Sequence, residues 1–323
     1  MSFFALPSNQ RIILEPTIDN YEIETCSNVD KIVNDSIVEL IDNKHLDKQM
    51  LFQHHALFEY LQKNVSIQYI SFFTAFREIV VTFDKINQHL FDKSISLLSD
   101  ESLVMPVKEY MNTLNIPHKT LVANGCARTK NTHFDLIILN MEENIDRNIY
   151  FHLMLEKLVT LGETQKTSGS AVLRMSYLNT SHTSRFLYFL TSMYEKVFVM
   201  KSRTSWALDT EKYVVCLNFL QRTTLSTRNL KVLKNMHGVS SPIMYNILGF
   251  ETPCIFQNKV HDINLMLAQL QLDQIDTIIN AMKNNGSGFE RLEIIRKNQV
   301  NLRDVWLEKY HTSVQPHTGS LHV

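Results

Sequence analysis

Glycine is scarce in this chain. Of its 323 residues only 8 are glycine, and the first is Gly125. Parallel α/β folds commonly bind ligands at a glycine-rich turn after the first strand, where the missing side chain lets the backbone approach the ligand. The segment before Gly125 therefore cannot contain such a turn. The P-loop and G-x-S-x-G patterns are absent as well, so phosphate-loop and serine-elbow sites are not expected.

Cysteine is also rare, and long apolar runs are missing. Cys26, Cys126, Cys216 and Cys254 lie far apart without paired spacing, which argues against a disulfide framework or a zinc site and favours a reducing compartment. The histidines lack metal-ligand spacing, so no metal is expected. The first seven residues do not resemble a signal peptide, and no apolar run could span a bilayer. These absences predict a cytoplasmic protein without membrane contact.

Neither sign of charge is in excess. The chain has 32 basic and 33 acidic residues, a net charge of -1, so a nucleic-acid surface could arise only from a local patch. What the chain does have is a hydrophobic content of 44%, enough for a sizeable core.

The apolar segments alternate between strand-like and helix-like patterns. This alternation predicts an α/β fold with a mostly parallel sheet, helices on both faces and an antiparallel edge hairpin. The predicted strands are 65–73, 94–98, 118–122, 134–139, 170–175, 197–200 and 213–217. The main predicted helices between them are 74–90, 101–114 and 144–161.

Three regions follow from this pattern. Residues 1–45 form a polar N-terminal arm that includes a helix at about 28–41, residues 46–220 form the α/β domain, and residues 221–323 form a basic linker and a helical C-terminal extension. The extension contains apolar helical periodicity over Ile263–Met282 and a charged amphipathic pattern over Glu290–Tyr310. Asp273 and Asp276 interrupt the first pattern, so it predicts a core or interface helix rather than a membrane span.

The stretch from Gly169 to Phe219 carries a family pattern. A strand, a helix and a second strand lead into the loop Lys201–Cys216, whose Lys, Ser, Glu, Tyr and Val follow the order of the family loop while its Pro and Arg are missing. The stretch resembles FtsJ-like RNA 2'-O-methyltransferases, which include viral and eukaryotic cap methyltransferases. The resemblance implies a Rossmann-like methyltransferase domain that binds S-adenosylmethionine if it is active.

In that family a Lys-Asp-Lys-Glu tetrad orients the ribose hydroxyl, and its central lysine acts as the base. The resemblance maps the four positions onto Glu59, Asn140, Arg174 and Glu211. Only Glu211 keeps the family identity. Arginine stays protonated in proteins, so Arg174 cannot accept the hydroxyl proton.

The resemblance assigns the cofactor turn to Ser71, Phe72 and Phe73, with Asp100 at the end of the second strand as a further cofactor position. That turn has no glycine and contains two bulky phenylalanines, so we expect a filled pocket and no cofactor. A divergent pocket that still binds S-adenosylmethionine is the alternative.

The chain also resembles the poxvirus mRNA-capping small subunits, which have a methyltransferase-like fold and stimulate a partner enzyme; the shared loop is Arg203–Trp206. Two hypotheses result: a non-catalytic, RNA- or partner-binding subunit of RNA capping, or an active, divergent 2'-O-methyltransferase. Both imply capped mRNA as a partner, and by analogy a viral source in the host cytoplasm or virion. A basic cluster could contact RNA phosphates, or could equally be a solvated face. Its members are Lys201, Arg203, Arg222, Arg228, Lys231 and Lys234.

Overall fold

A computed structural model gives the architecture of the chain. It describes residues 2–7, 52–63, 70–91, 96–113, 120–123, 133–141, 147–176, 180–205, 209–220, 252–283 and 288–311, and the single positions 32, 35, 36 and 178. The predicted helix at 28–41 therefore lies outside the described residues, except for positions 32, 35 and 36. The predicted basic residues after β7 lie wholly outside them, namely Arg222, Arg228, Lys231 and Lys234.

The described residues form an α/β fold, as the sequence predicts. Its strands are β1 (Ser2–Ala5), β2 (Ser96–Ser99), β3 (Thr120–Ala123), β4 (Phe134–Asn140), β5 (Gln165–Met175), β6 (Tyr194–Lys201) and β7 (Lys212–Phe219). Its helices are α1 (His55–Leu61), α2 (Ile70–Thr82), α3 (Asp84–Phe91), α4 (Glu101–Thr113), α5 (Arg147–Thr164), α6 (Ser181–Met193), α7 (Cys254–Lys283) and α8 (Gly288–His311).

One mixed sheet contains all of these strands, in the order β1-β6-β7-β5-β4-β2-β3. The four neighbours β3, β2, β4 and β5 are parallel to one another. Strand β7 is antiparallel to both β5 and β6, and β1 is antiparallel to β6 at the edge. A parallel centre with an antiparallel edge is thus confirmed, and part of the arm adds an edge strand that the sequence did not predict.

The predicted first strand, 65–73, is wrong over its described part. Residues from Ile70 onward belong to helix α2, in which Phe73, Phe76 and Val80 are buried. Their spacing of three and four residues is helical, and the short apolar run that precedes them fits a strand or a buried helix equally well. Strand β2 is therefore the first strand of the parallel centre within the described residues.

Helices cover both faces of the sheet. Along β4, Ile137 and Leu139 belong to the core under α5, α6 and α7, whereas Leu136 and Ile138 belong to the core under α2, α4 and α8. This alternation follows from the two-residue period of side chains in a strand, and it explains why β4 is apolar on both sides.

The C-terminal helices are part of this packing. Helix α7 buries Phe256, Val260 and Ile263 against the first core, and α8 buries Trp306 and Tyr310 in the second. Among the described residues, none of the helices combines the length and the hydropathy needed to cross a membrane.

Candidate functional site

The residues of the candidate site lie at the carboxyl ends of the parallel strands. Strands β2, β4 and β5 end there, and β6 ends there too because it and β5 are both antiparallel to β7. Strand β7 begins at the same edge. The topology therefore brings Asp100, Asn140, Arg174, Lys201 and Glu211 to one side of the sheet, although they are spread over more than a hundred residues of sequence.

A buried ion pair joins two of the predicted tetrad positions. The Arg174 Nε and Nη2 atoms both lie 2.8 Å from Oε2 of Glu211. The Glu211 side chain is fully buried, whereas that of Arg174 is 24% exposed. The Ser71 hydroxyl donates to the other oxygen, Oε1, at 2.7 Å. Glu211 thus holds the guanidinium rigidly at the end of β5.

Tyr213 lies opposite Arg174 in the register of β5 and β7. Burial, and then the charge of the neighbouring Glu211, raise the pKa of the Tyr213 phenol well above its ordinary value. The phenol therefore stays neutral at physiological pH. Neither Arg174 nor Tyr213 can accept a proton there as a general base.

Asn140 lies opposite Arg174 in the register of β4 and β5. Its side-chain amide donates to the Ser102 hydroxyl on α4 at 3.1 Å, and its backbone N–H donates to Oδ2 of Asp100 at 2.5 Å. Asn140 therefore ties the end of β4 to the end of β2 and the start of α4. An amide at this position carries no charge, so it cannot pair with a neighbouring ammonium as an aspartate would.

Asp100 lies between β2 and β4, where the strand order reverses. The chain runs from β2 outward to β3 and then crosses to β4 on the other side. Such a reversal is where open parallel sheets usually bind their ligands. Here Oδ1 of Asp100 accepts from the Lys157 ammonium at 3.1 Å, and the two side chains are only 11% and 8% exposed.

Lys157 is absent from the sequence predictions. It lies in the middle of α5 between Glu156 and Leu158, where a lysine ordinarily faces solvent. No local pattern distinguishes it from a surface lysine, because its partner is 57 residues away in the chain.

The predicted cofactor turn is a helix. Ser71, Phe72 and Phe73 form part of the first turns of α2. Phe72 stacks on Phe76 with ring centroids 5.7 Å apart, and Phe73 meets the Tyr110 ring edge-on at 6.0 Å. The phenylalanines are core residues of a helix. These positions therefore do not form the turn at which a filled cofactor pocket is expected from the sequence.

Glu59 is not part of the cluster around Glu211. It is exposed on α1 and pairs with His55 one helical turn away, at 3.6 Å. The side chain that a helix preceding β2 brings to Glu211 is Ser71. Ser71 is among the predicted cofactor positions, but the sequence gives no signal for its contact with Glu211, which spans 140 residues.

The loop after β6 is fastened to α2. The hydroxyls of Thr204 and Thr74 lie 2.7 Å apart, and those of Thr204 and Ser202 lie 2.7 Å apart. The backbone N–H of Arg203 donates to Oε2 of Glu78 at 3.0 Å. Of the predicted RNA contacts, Arg203 is exposed, whereas Lys201 is buried and donates to the Asp209 carbonyl oxygen at 2.7 Å.

Glu78 also connects this loop to the C-terminal helix. The Trp306 indole Nε1 donates to Oε1 of Glu78 at 2.9 Å, and the Arg77 guanidinium donates to the Tyr310 carbonyl oxygen. Burial raises the pKa of Glu78, and its hydrogen bonds from Trp306 and the loop oppose that effect. The end of α8 is thus a structural support for the loop that carries Arg203.

The buried side chain of His54 should make the folded protein less stable in acid. Burial lowers its pKa from 6.5 to about 4, and a hydrogen bond to the backbone of Arg203 opposes the shift. Between these values the unfolded chain binds a proton that the folded protein does not, so stability should fall as pH drops from 6.5 towards 4, by roughly 3 kcal/mol. We expect His54→Phe to remove this loss, as measured by urea unfolding across that range.

The half-buried neighbour His55 supplies the control, and His55→Gln should leave the acid loss in place. The raised pKa of Glu78 has the opposite effect on stability, because the folded state binds its proton more readily than the unfolded chain as the pH falls. This effect is the same in the wild type and in the variants. If the free energy of unfolding falls as much between pH 6.5 and 4 in His54→Phe as in the wild type, His54 is not the source of the loss.

The described residues contain no group of three His, Cys, Asp or Glu side chains that could hold a metal ion. No protein-family model matches the chain, and no curated protein matches it.

Proposed function

We propose that this chain is a methyltransferase-like protein of RNA cap modification that does not catalyse transfer and instead binds RNA or a partner enzyme as a stimulatory subunit. The observation that carries the proposal is the ion pair between Arg174 and buried Glu211. It lies at the position that the family resemblance gives to the catalytic base. The mixed sheet with a parallel centre is compatible with a Rossmann-like methyltransferase domain.

The chemistry of the edge argues against methyl transfer. A ribose hydroxyl must lose its proton to a nearby base, and Arg174 remains a cation that Glu211 stabilises further. The methyl donor would also have to be held at attack distance from that hydroxyl. The crevice where an open parallel sheet would hold such a donor contains the Asp100–Lys157 pair instead.

The same edge supports a binding role. Arg203 is exposed, and its backbone is fixed by Glu78 while its neighbours Ser202 and Thr204 are bonded to each other and to α2. A guanidinium on a fixed backbone loses less freedom when it contacts a phosphate, and arginine suits that contact because of its planar donors. The basic segment with Arg222, Arg228, Lys231 and Lys234 remains a prediction from the sequence.

The proposal predicts no methyl transfer. Wild-type protein, mixed with capped RNA and methyl-labelled S-adenosylmethionine, should leave the RNA unlabelled, and calorimetry should show no binding of the methyl donor. Arg174→Lys should also leave the RNA unlabelled, because it restores a possible base without a bound donor. Labelling of RNA by the wild type would overturn the proposal in favour of an active, divergent 2'-O-methyltransferase.

RNA binding provides the positive arm of the same experiment. Fluorescence anisotropy should show capped RNA binding that weakens with salt, and Arg203→Glu should weaken it. Lys196→Glu is the matched control, because exposed Lys196 lies on the same β6 strand towards its opposite end. Equal effects of the two charge reversals would indicate nonspecific attraction rather than a contact at the loop.

A further inference from the structure

The reversal point of the sheet is occupied by the chain itself. Asp100 projects one carboxylate oxygen to the Asn140 backbone and the other to Lys157, at 2.5 and 3.1 Å. Its own backbone N–H donates to the Ile138 carbonyl oxygen at 2.9 Å, so its position is fixed on both sides. The carboxylate is therefore a preorganised acceptor at the place where open parallel sheets usually receive ligands.

We infer that this crevice is a primary-ammonium site and that Lys157 fills it as an internal ligand. The inference rests on the proposed function, since an internal ligand explains why the crevice does not serve a diffusible cofactor. A lysine ammonium is a compact point charge with three donors on a flexible stem. It reaches Asp100 from the middle of α5, and its side chain is only 8% exposed.

Burial shows why the occupant must be a cation with N–H donors. The Asp100 carboxylate is almost out of contact with water, and an unpaired buried charge costs several kcal/mol. Leu139 and Met141, which flank Asn140 in the chain, and Met154, one helical turn before Lys157, are buried and apolar. Removing the Lys157 ammonium therefore leaves a site that a small primary alkylammonium ion would satisfy.

The test uses a variant with the missing atoms supplied from solution. Lys157→Ala keeps Cβ and lacks three carbons and the nitrogen, which together correspond to n-propylammonium. We expect n-propylammonium chloride to raise the thermal midpoint of this variant by on the order of 2–4 °C relative to sodium chloride at the same ionic strength. Tetramethylammonium, which has no N–H donor, should not raise it, and the wild type should respond to neither ion.

Two further variants make the result decisive. Lys157→Met keeps most of the stem, so it has no room for the ion and should not respond. Asp100→Asn with Lys157→Ala has room but no carboxylate, and it should not respond either. If Lys157→Ala does not fold alone, n-propylammonium and not tetramethylammonium should recover folded protein on dilution from urea, whereas the double variant should show no such preference.

A lack of response in Lys157→Ala, in folding as well as in thermal midpoint, would overturn the inference and leave Lys157 as an ordinary structural ion pair. An equal response of the double variant, or to tetramethylammonium, would overturn it as well. This outcome is separable from failure of the proposed function. Methyl transfer by the wild type refutes the latter, whereas the n-propylammonium experiment measures only the occupancy of the crevice in the variant.

Discussion

Replacement of Arg174 by methionine should destabilise the protein by about 3–5 kcal/mol, because it removes one partner of a buried ion pair. The Glu211 carboxylate is fully buried and would lose both guanidinium donors. Only the Ser71 hydroxyl would still donate to it among the bonds described above. The free energy of unfolding in urea, compared with that of the wild type at neutral pH, measures the loss.

A double variant separates loss of the pair from loss of packing. Arg174→Met with Glu211→Leu replaces both charges by apolar side chains, which is often close to neutral at buried sites. It should therefore be more stable than Arg174→Met alone. Arg303→Met removes a surface pair with Asp304 on α8 and should cost no more than about 1 kcal/mol. A double variant no better than the single one would contradict the ion-pair explanation.

Replacement of Trp306 by alanine should cost about 3–5 kcal/mol from the cavity alone, since the indole is only 2% exposed. Glu78 would in addition lose the Nε1 donor at 2.9 Å and remain buried. The loop after β6 depends on Glu78 through the Arg203 backbone bond. We therefore expect lower stability in urea unfolding together with weaker binding of capped RNA.

Trp306→Phe isolates the hydrogen bond, because it keeps a ring and removes the donor. It should cost roughly 1–3 kcal/mol, the usual penalty for leaving a buried polar group unsatisfied. Val305→Ala is the matched control, since Val305 precedes Trp306 on the same helix and is 55% exposed. Equal costs for Val305→Ala and Trp306→Ala would show that α8 does not support the domain through Trp306.

The two pairs that dominate the candidate site differ in how visible they are in the sequence. Arg174 and Glu211 stand in a recognisable strand-loop-strand pattern, so the sequence could nominate both and exclude Arg174 as a base. Asp100 and Lys157 share no pattern. Their contact exists because α5 packs against β4 and β5, and β4 is the neighbour of β2, at whose end Asp100 lies.

The assignment of residues 70–73 to a strand has a definite cause. The sequence ISFF is a short, mostly apolar run, and such runs are compatible with a buried helix as well as with a strand. The helical period becomes visible only through the burial of Phe73, Phe76 and Val80. A cofactor turn is expected directly after the first strand. Because the first strand is assigned to residues 65–73, the turn is predicted in what is the start of α2, and not after β2 near Asp100, where the strand order reverses.

The sequence by itself determined the α/β class, the approximate positions of most elements, the lack of a glycine-rich turn before Gly125 and the absence of a lysine at position 174, because these depend on neighbouring residues and residue chemistry. Only the tertiary structure decided that Ser71 meets Glu211, that Lys157 meets Asp100 and that Trp306 meets Glu78. These contacts join residues 140, 57 and 228 positions apart. Strand order and burial determine such partners, and neither is encoded in any short stretch of the chain.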